Sequence, residues 1–324
     1  QAGKHVYCEA PLATTLEDAR AIAQAAQAAG KQYFQAGLQT RSDKQRKPIV
    51  EFVRSGVMGK TVVARSQYHK KESWRRTSPN PEQEKLLNWR LNSATSIGLI
   101  GEIGVHAVDV ASWFLLNRPL AVTGWGSLIN WKDGRDVPDT VQAVFEYPGG
   151  VNFIYDGTLA NSFDGEYEMY YGSDCTIMWR ERHAWMFKEV DSPLLGWEVY
   201  AKKETFCKES GIVLDANASK QKTAVTNRQT IDTIADPTTA LQYSLESFLI
   251  NSSKIGAGVE DFTTNFGGGD AAALKQYLAT LAKDLEPGAG YQEGFEATVT
   301  AIKTNEAIRN HQRIVFSKEW FELA

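Results

Sequence analysis

No run of apolar residues approaches the ~20 that a membrane-spanning helix needs, and the first residues lack the charged-then-apolar pattern of an export signal. Cysteine is scarce. Cys8, Cys175 and Cys207 are odd in number and far apart, with no C-x-x-C and no histidine at ligand spacing, which argues against a disulfide framework or a zinc site and for buried free thiols. An excess of one charge is also lacking: 35 Lys and Arg face 39 Asp and Glu, for a net charge of −4, with the signs interspersed. Neither a nucleic-acid footprint nor a polybasic membrane face follows from that pattern. No G-x-G-x-x-G follows a strand pattern anywhere. The one phosphate-loop look-alike, GVMGKT at 56–61, fails because the first glycine of that motif would fall on Arg54 and a strand pattern follows it. His69 and His183 stand alone, so no metal is expected, and Asn217-Ala-Ser219 and Asn251-Ser-Ser253 match a glycosylation pattern that arises often by chance.

What is present is ordinary globular composition, 43% hydrophobic and 23% charged over 324 residues, long enough for two cores. The first residues read as the end of a helix (1–3), a strand (4–8) and a turn closed by Pro11. Residues 15–29 open with Thr15 and an acidic first turn, carry Ala, Ile and Leu at helical spacing and stop at Gly30, which predicts a helix. The apolar stretch 31–38 predicts a strand, so strand, helix and strand make one βαβ unit of a parallel sheet. A helix over 43–59 ending at Gly56 and a strand over 60–70 follow. From about 120 to 215 strands repeat, with turns at Pro148-Gly149-Gly150 and Gly172-Ser173, as in an open antiparallel sheet with helices on one face. Residues 216–240 read as a polar loop, and two further helices and a closing helix and strand complete the chain.

The strongest constellation lies in GLIGEIGVHAVDVASWFL (98–115), where Glu102, His106 and Asp109 at i, i+4 and i+7 share one helix face. A polar stripe in solvent or a core histidine satisfied by a carboxylate would account for it. So would a catalytic platform, since an imidazole beside a carboxylate works as a general acid and base near neutral pH. Asn88-Trp89-Arg90-Leu91 precedes this helix, and alone it carries little weight because Trp–Arg pairs are common surface anchors. The aromatics Trp125, Trp131, Tyr155, Tyr170 and Tyr171 offer either sugar-stacking surface or, more in keeping with strands, core and subunit-interface packing.

Taken in order and spacing, GKHVYCEAPLA, QAGLQTRSD, VRSGVMGK, NWRL and GEIGVHAVDVASWFL resemble the Gfo/Idh/MocA family of NAD(P)-dependent oxidoreductases over most of the chain. The resemblance implies an α/β plus α+β fold: the C-terminal part of a Rossmann domain over 1–42, then residues 43–324 with a large open, mainly antiparallel sheet flanked by helices. The 98–116 helix would lie near the junction and the C-terminal helix would pack back on the Rossmann part. It implies His106 as proton-transfer residue, and Glu102 as a substrate-contacting or His-supporting acid. Trp89, Arg90 and Asp109 would lie at the substrate, Asp109 in a role closer to structural. Glu9, Ala10, Pro11, Gln39 and Arg41 would lie at an NAD or NADP cofactor, with no metal. The expected substrate is a sugar or polyol, the expected partner a second copy held through the open sheet, and the expected location cytoplasmic with export left open. Two departures matter. Ala10 stands where the family turn Glu-Lys-Pro carries its lysine, which opens two rivals: a glycoside-cleaving enzyme that uses transient oxidation, and a non-catalytic oligomerisation or sugar-binding module. The missing glycine loop places the phosphate-binding half upstream of Gln1, on the order of 60 to 100 residues at about 30 per βαβ step, and implies weak or absent NAD binding by residues 1–324 alone.

Overall fold

A computed structural model describes residues 2–180, 182–206, 208–214, 238–267 and 270–323. Cys207, the Asn217 glycosylation pattern and most of the predicted 216–240 loop lie outside them. The βαβ unit forms as predicted. Strand β1 (Val6–Cys8) pairs in parallel with β2 (Phe34–Ala36) through helix α1 (Leu16–Ala28). The Thr15 hydroxyl accepts from the Asp18 amide at 3.2 Å, and the acidic first turn complements the helix dipole. Residues 2–5 carry no helix, because two or three residues cannot close a helical turn.

Two faces of this small sheet are covered differently. Ala36 and Cys8 join an apolar cluster with Ala19 and Ala23 of α1 and with Phe295 and Val299 of α7 (Tyr291–Asn310), so the C-terminal helix packs back on this unit. Leu12 N–H donates to the Thr298 hydroxyl of α7 at 2.9 Å. On the other face Tyr7 and Gln35, register partners, both reach Ser244 of the 27-residue helix α5 (Ala240–Phe266).

The remaining strands make one ten-stranded sheet in the order β10-β11-β9-β8-β7-β3-β6-β5-β4-β12. They are β3 (Thr61–His69), β4 (Ala121–Ser127), β5 (Thr140–Glu146), β6 (Asn152–Thr158), β7 (Glu166–Gly172), β8 (Cys175–Arg180), β9 (His183–Lys188), β10 (Lys203–Phe206), β11 (Glu209–Leu214) and β12 (Ile314–Val315). Both predicted turns are hairpin turns. The strand pairs are antiparallel except β3 with β6. β3 enters between β6 and β7, a crossover that a pattern of successive hairpins does not reveal.

Alternation turns Ala143, Phe145, Phe153, Tyr155, Tyr170 and Ile177 to one buried face. Phe145 and Phe153 stack at 5.5 Å, and burying each is worth about 1.5–3 kcal/mol. Helices α2 (Arg46–Phe52) and α4 (Val105–Leu115) belong to the same core, with Phe114 stacked on Tyr170 at 4.1 Å. The predicted 43–59 helix is shorter than its pattern: α2 runs into a π-turn over Val53–Val57, where Gly56 takes φ 88°. Helices α3 (Pro81–Leu87) and α6 (Ala271–Leu281) lie outside this layer.

Candidate active site

The parallel strands β1 and β2 end together, and the turns that leave them carry Glu9-Ala10-Pro11 and Gln39-Thr40-Arg41. In open α/β sheets that end is where ligands sit. Gly37 lets the two turns meet: a Cβ there would lie 2.5 Å from Glu9 Oε2 and 2.9 Å from the Glu9 Cα. Gln39 opens a 3₁₀ turn over Gln39–Ser42.

The helix over 98–115 is not uniform. A π-turn over Ile100–Gly104 precedes α4, and Gly104 seats it on the Tyr155 ring, where a Cβ would lie 3.2 Å from Cε1. Such turns widen the backbone and are frequent at functional sites. The consequence is that Glu102, His106 and Asp109 do not work as one stripe. Glu102 accepts from the Ser96 hydroxyl at 3.0 Å and pairs with Arg90 Nε at 3.0 Å. Among the described residues no hydrogen bond joins Glu102 to His106, so the expected pairing is replaced by Glu102–Arg90. Burial holds the Glu102 carboxyl above its ordinary range despite Arg90 and Ser96.

His106 is half-buried, and its Nδ1 is enclosed with no hydrogen-bond partner among the described residues. Burial pushes its pKa down from 6.5 to about 4, so the imidazole is neutral at physiological pH. Asp109, expected near the substrate, and Arg41, expected at the cofactor, are partners of each other. Both Asp109 oxygens receive Arg41, at 2.9 to 3.1 Å, and Asp109 is buried. Their charges are paired with each other, tying the turn after β2 to α4.

Arg90 is the hub of what remains. It pairs with Glu102, lies 5.2 Å from the Trp89 ring centroid and 6.0 Å from that of Trp74, and acts electrostatically on Glu9. Burial raises the Glu9 carboxyl, and Arg90 offsets part of that rise. Trp89 is 43% exposed. Thus Glu9, Arg90 and Glu102 form one polar group beside the parallel strand ends. A cavity of about 380 Å³, lined by Arg75, Glu84, Lys85, Asn88 and Leu91 among others, adjoins the Trp89 turn without touching Glu9, Glu102 or His106.

Sequence reasoning missed Trp74, Glu72 and Glu166, which have no motif around them. Of the five aromatics singled out, Tyr155 and Tyr170 are core residues, Trp131 is held by a bond from Nε1 to Leu159 O, and Trp125 is exposed on β4. Among the described residues no cluster of His, Cys, Asp and Glu could hold a metal, and no helix is long and apolar enough to cross a membrane.

Comparison with known proteins meets these observations. Residues 1–37 match the oxidoreductase family with an NAD-binding Rossmann fold, and residues 48–177 match the GFO/IDH/MocA C-terminal domain. Inositol 2-dehydrogenase 3 of Saccharopolyspora erythraea is 41% identical over 115 residues, 36% of this chain and 29% of that one. Levoglucosan dehydrogenase of Pseudarthrobacter phenanthrenivorans is 26% identical over 175 residues, 46% of this chain and 42% of its own. The matched stretches therefore span less than half the length of these relatives. An inositol dehydrogenase homolog from Azotobacter vinelandii, solved with NADH and myo-inositol, superposes with a TM-score of 0.64 at 14% identity, over 97% of this chain and 72% of that one. The domain matches over both parts of the chain, together with the shared fold, lead to one conclusion: the chain belongs to the GFO/IDH/MocA oxidoreductase family.

Proposed function

We propose that the protein is an NAD(P)-dependent oxidoreductase acting on a sugar or polyol, with His106 as the group that takes or returns the proton of the reacting hydroxyl. The observation that carries this reading is His106 itself. A neutral imidazole with an unpartnered, enclosed Nδ1 stands on the helix beside the Glu9, Arg90 and Glu102 group. A neutral imidazole is the form that accepts a proton. Burial that disfavours the imidazolium also favours return of the proton in the reverse reaction.

The residues present fit one end of a dinucleotide. Gly37 leaves the two turns in contact at the parallel strand ends, where the Glu9-Ala10-Pro11 and Gln39 backbones would flank a nicotinamide; Arg41, spent on Asp109, would not. Bound there, NAD(P) supplies the hydride acceptor. The chain's own part is to orient the carbinol through Glu102 and Arg90 and to move its proton through His106. Ala10 contributes only backbone, which favours a second reading, glycoside cleavage through transient oxidation with no net NADH. The exposed Trp125 and the uncovered sheet face around it support association with a second copy.

The test uses the full natural chain. Spectrophotometric assay with NAD and a panel including myo-inositol and levoglucosan is expected to give NADH, and His106→Gln is expected to lower turnover about 10²-fold or more with the fold retained. Sugar release from glycosides without NADH accumulation would transfer the assignment to the second reading. Unchanged turnover in His106→Gln would remove this helix from the chemistry.

A further inference from the structure

The segment after β3 holds an aromatic residue in a conformation that bulky side chains avoid. Trp74 has φ 60°, and a left-handed backbone at such a residue persists only where its surroundings over-determine it. They do so here from every side. Glu72 N–H donates to Leu159 O at 3.2 Å, Arg135 donates to Ser73 O, and Arg75 donates to Asp133 O at 2.6 Å and to Glu84 at 2.5 Å. The Trp74 indole N–H donates to Glu72 Oε1 at 2.9 Å, and the same carboxylate receives Tyr68 at 3.2 Å and Lys70 at 3.0 Å. These bonds outweigh burial and hold the Glu72 carboxyl below its ordinary range.

Beyond Tyr68 the wall continues onto the buried-side face of the sheet. Tyr68 has Glu166 and Gly157 as its register partners. Glu166 is exposed at the start of β7, and desolvation by the surrounding protein is the main cause that raises its carboxyl. Among the described residues it makes no side-chain hydrogen bond or ion pair. Tyr155 is fully buried, and its hydroxyl, placed over Gly157, has no hydrogen-bond partner among the described residues. An unspent buried hydroxyl is costly unless something completes it. At the other end Arg90 joins this wall to Glu102 and to the Glu9 turn.

We infer that Trp74, Glu72, Lys70, Tyr68 and Glu166 form the subsite that selects the substrate, taking the ring of an uncharged polyol or pyranose with its C–H face on the indole and its hydroxyls on the carboxylates and Lys70. This rests on the oxidoreductase reading above. The chemistry follows from what the wall offers: the half-buried Trp74 indole, which also packs on the sheet core, as an apolar surface for C–H groups, and a mixed set of donors and acceptors without the excess positive charge that a phosphate or carboxylate ligand would call for. Such a wall discriminates against ligands that lack the hydroxyls, because its own polar groups are then left unpaired.

The experiment is equilibrium binding of myo-inositol to the full natural chain labelled with ¹⁵N-tryptophan, with the Trp74 indole resonance assigned by its loss in Trp74→Phe. Myo-inositol is expected to shift that resonance. Trp74→Leu and Glu166→Gln are each expected to weaken binding about fivefold or more, with NADH affinity and circular dichroism retained. Unchanged myo-inositol affinity in both variants overturns the subsite while leaving the oxidoreductase reading in place. Absence of binding by the wild-type chain to myo-inositol and to a pyranose panel overturns the substrate class in that reading, and the subsite with it.

Discussion

If His106 is held neutral by burial, stability must depend on pH in a window set by that one residue. Its folded pKa is about 4 against 6.5 for the exposed group, so between those values the unfolded chain binds the extra proton. Stability is then fully present above about pH 6.5, is lost as the pH falls through the window, and levels off below about pH 4. Integrating the linkage gives a loss of about 1.4 kcal/mol by pH 5.5 and about 3 kcal/mol by pH 4, upper values because the ring keeps some solvent contact. His106→Gln removes the titration and keeps a polar side chain of similar length. Urea unfolding of both proteins at pH 7, 5.5 and 4.5 isolates the effect, since every other titrating group is common to the pair. The wild type is expected to lose ground to the variant as the pH falls, and an NMR titration is expected to place the imidazole well below pH 6. A stability difference flat with pH, or an imidazole titrating at or above 6.5, would refute burial as the governing cause. It would also remove the reason for regarding this histidine as a neutral proton acceptor.

Two further perturbations test the scaffold. Asp109→Asn removes the direct partner of the half-buried Arg41 guanidinium and leaves it only the electrostatic pull of Glu293 and Glu296, and is expected to cost about 3 kcal/mol, the low end for breaking a buried pair, in chemical unfolding. Arg41→Lys is not expected to be neutral either, since an ammonium cannot reproduce the two-oxygen contact. Gly37→Ala places a Cβ 2.9 Å from the Glu9 Cα, so backbone must move, with an expected cost of about 1–3 kcal/mol. In the full natural chain the same change is expected to weaken NADH binding, read by fluorescence titration, because the two turns it separates are those at the parallel strand ends.

What could be read from the sequence and what could not divide along a physical line. The βαβ start, the hairpins and the 98–115 helix are local: each is written in caps, turn residues and the period of apolar positions within one segment. The Glu102, His106 and Asp109 spacing is legible for the same reason. Their partners are not, because the π-turn over Ile100–Gly104 sits with Gly104 close against Tyr155 of β6, a contact that spacing within residues 98–115 does not show. Arg41, 68 positions before Asp109, is equally invisible to spacing along one helix. The insertion of β3 between β6 and β7 has the widest consequence. It sets Tyr68 beside Gly157 and Glu166, residues 89 and 98 positions downstream, and so builds a polar wall from two parts of the chain. Trp74 completes that wall in a stretch with no periodicity, held in its left-handed backbone by Arg135, Arg75 and Glu72 together. The element to which proton handling is assigned therefore resides in one helix and is local in sequence. The wall to which substrate choice is assigned exists only after the sheet has closed around β3, so substitutions that disturb the β3 crossover should alter ligand selection before they alter the chemistry at His106.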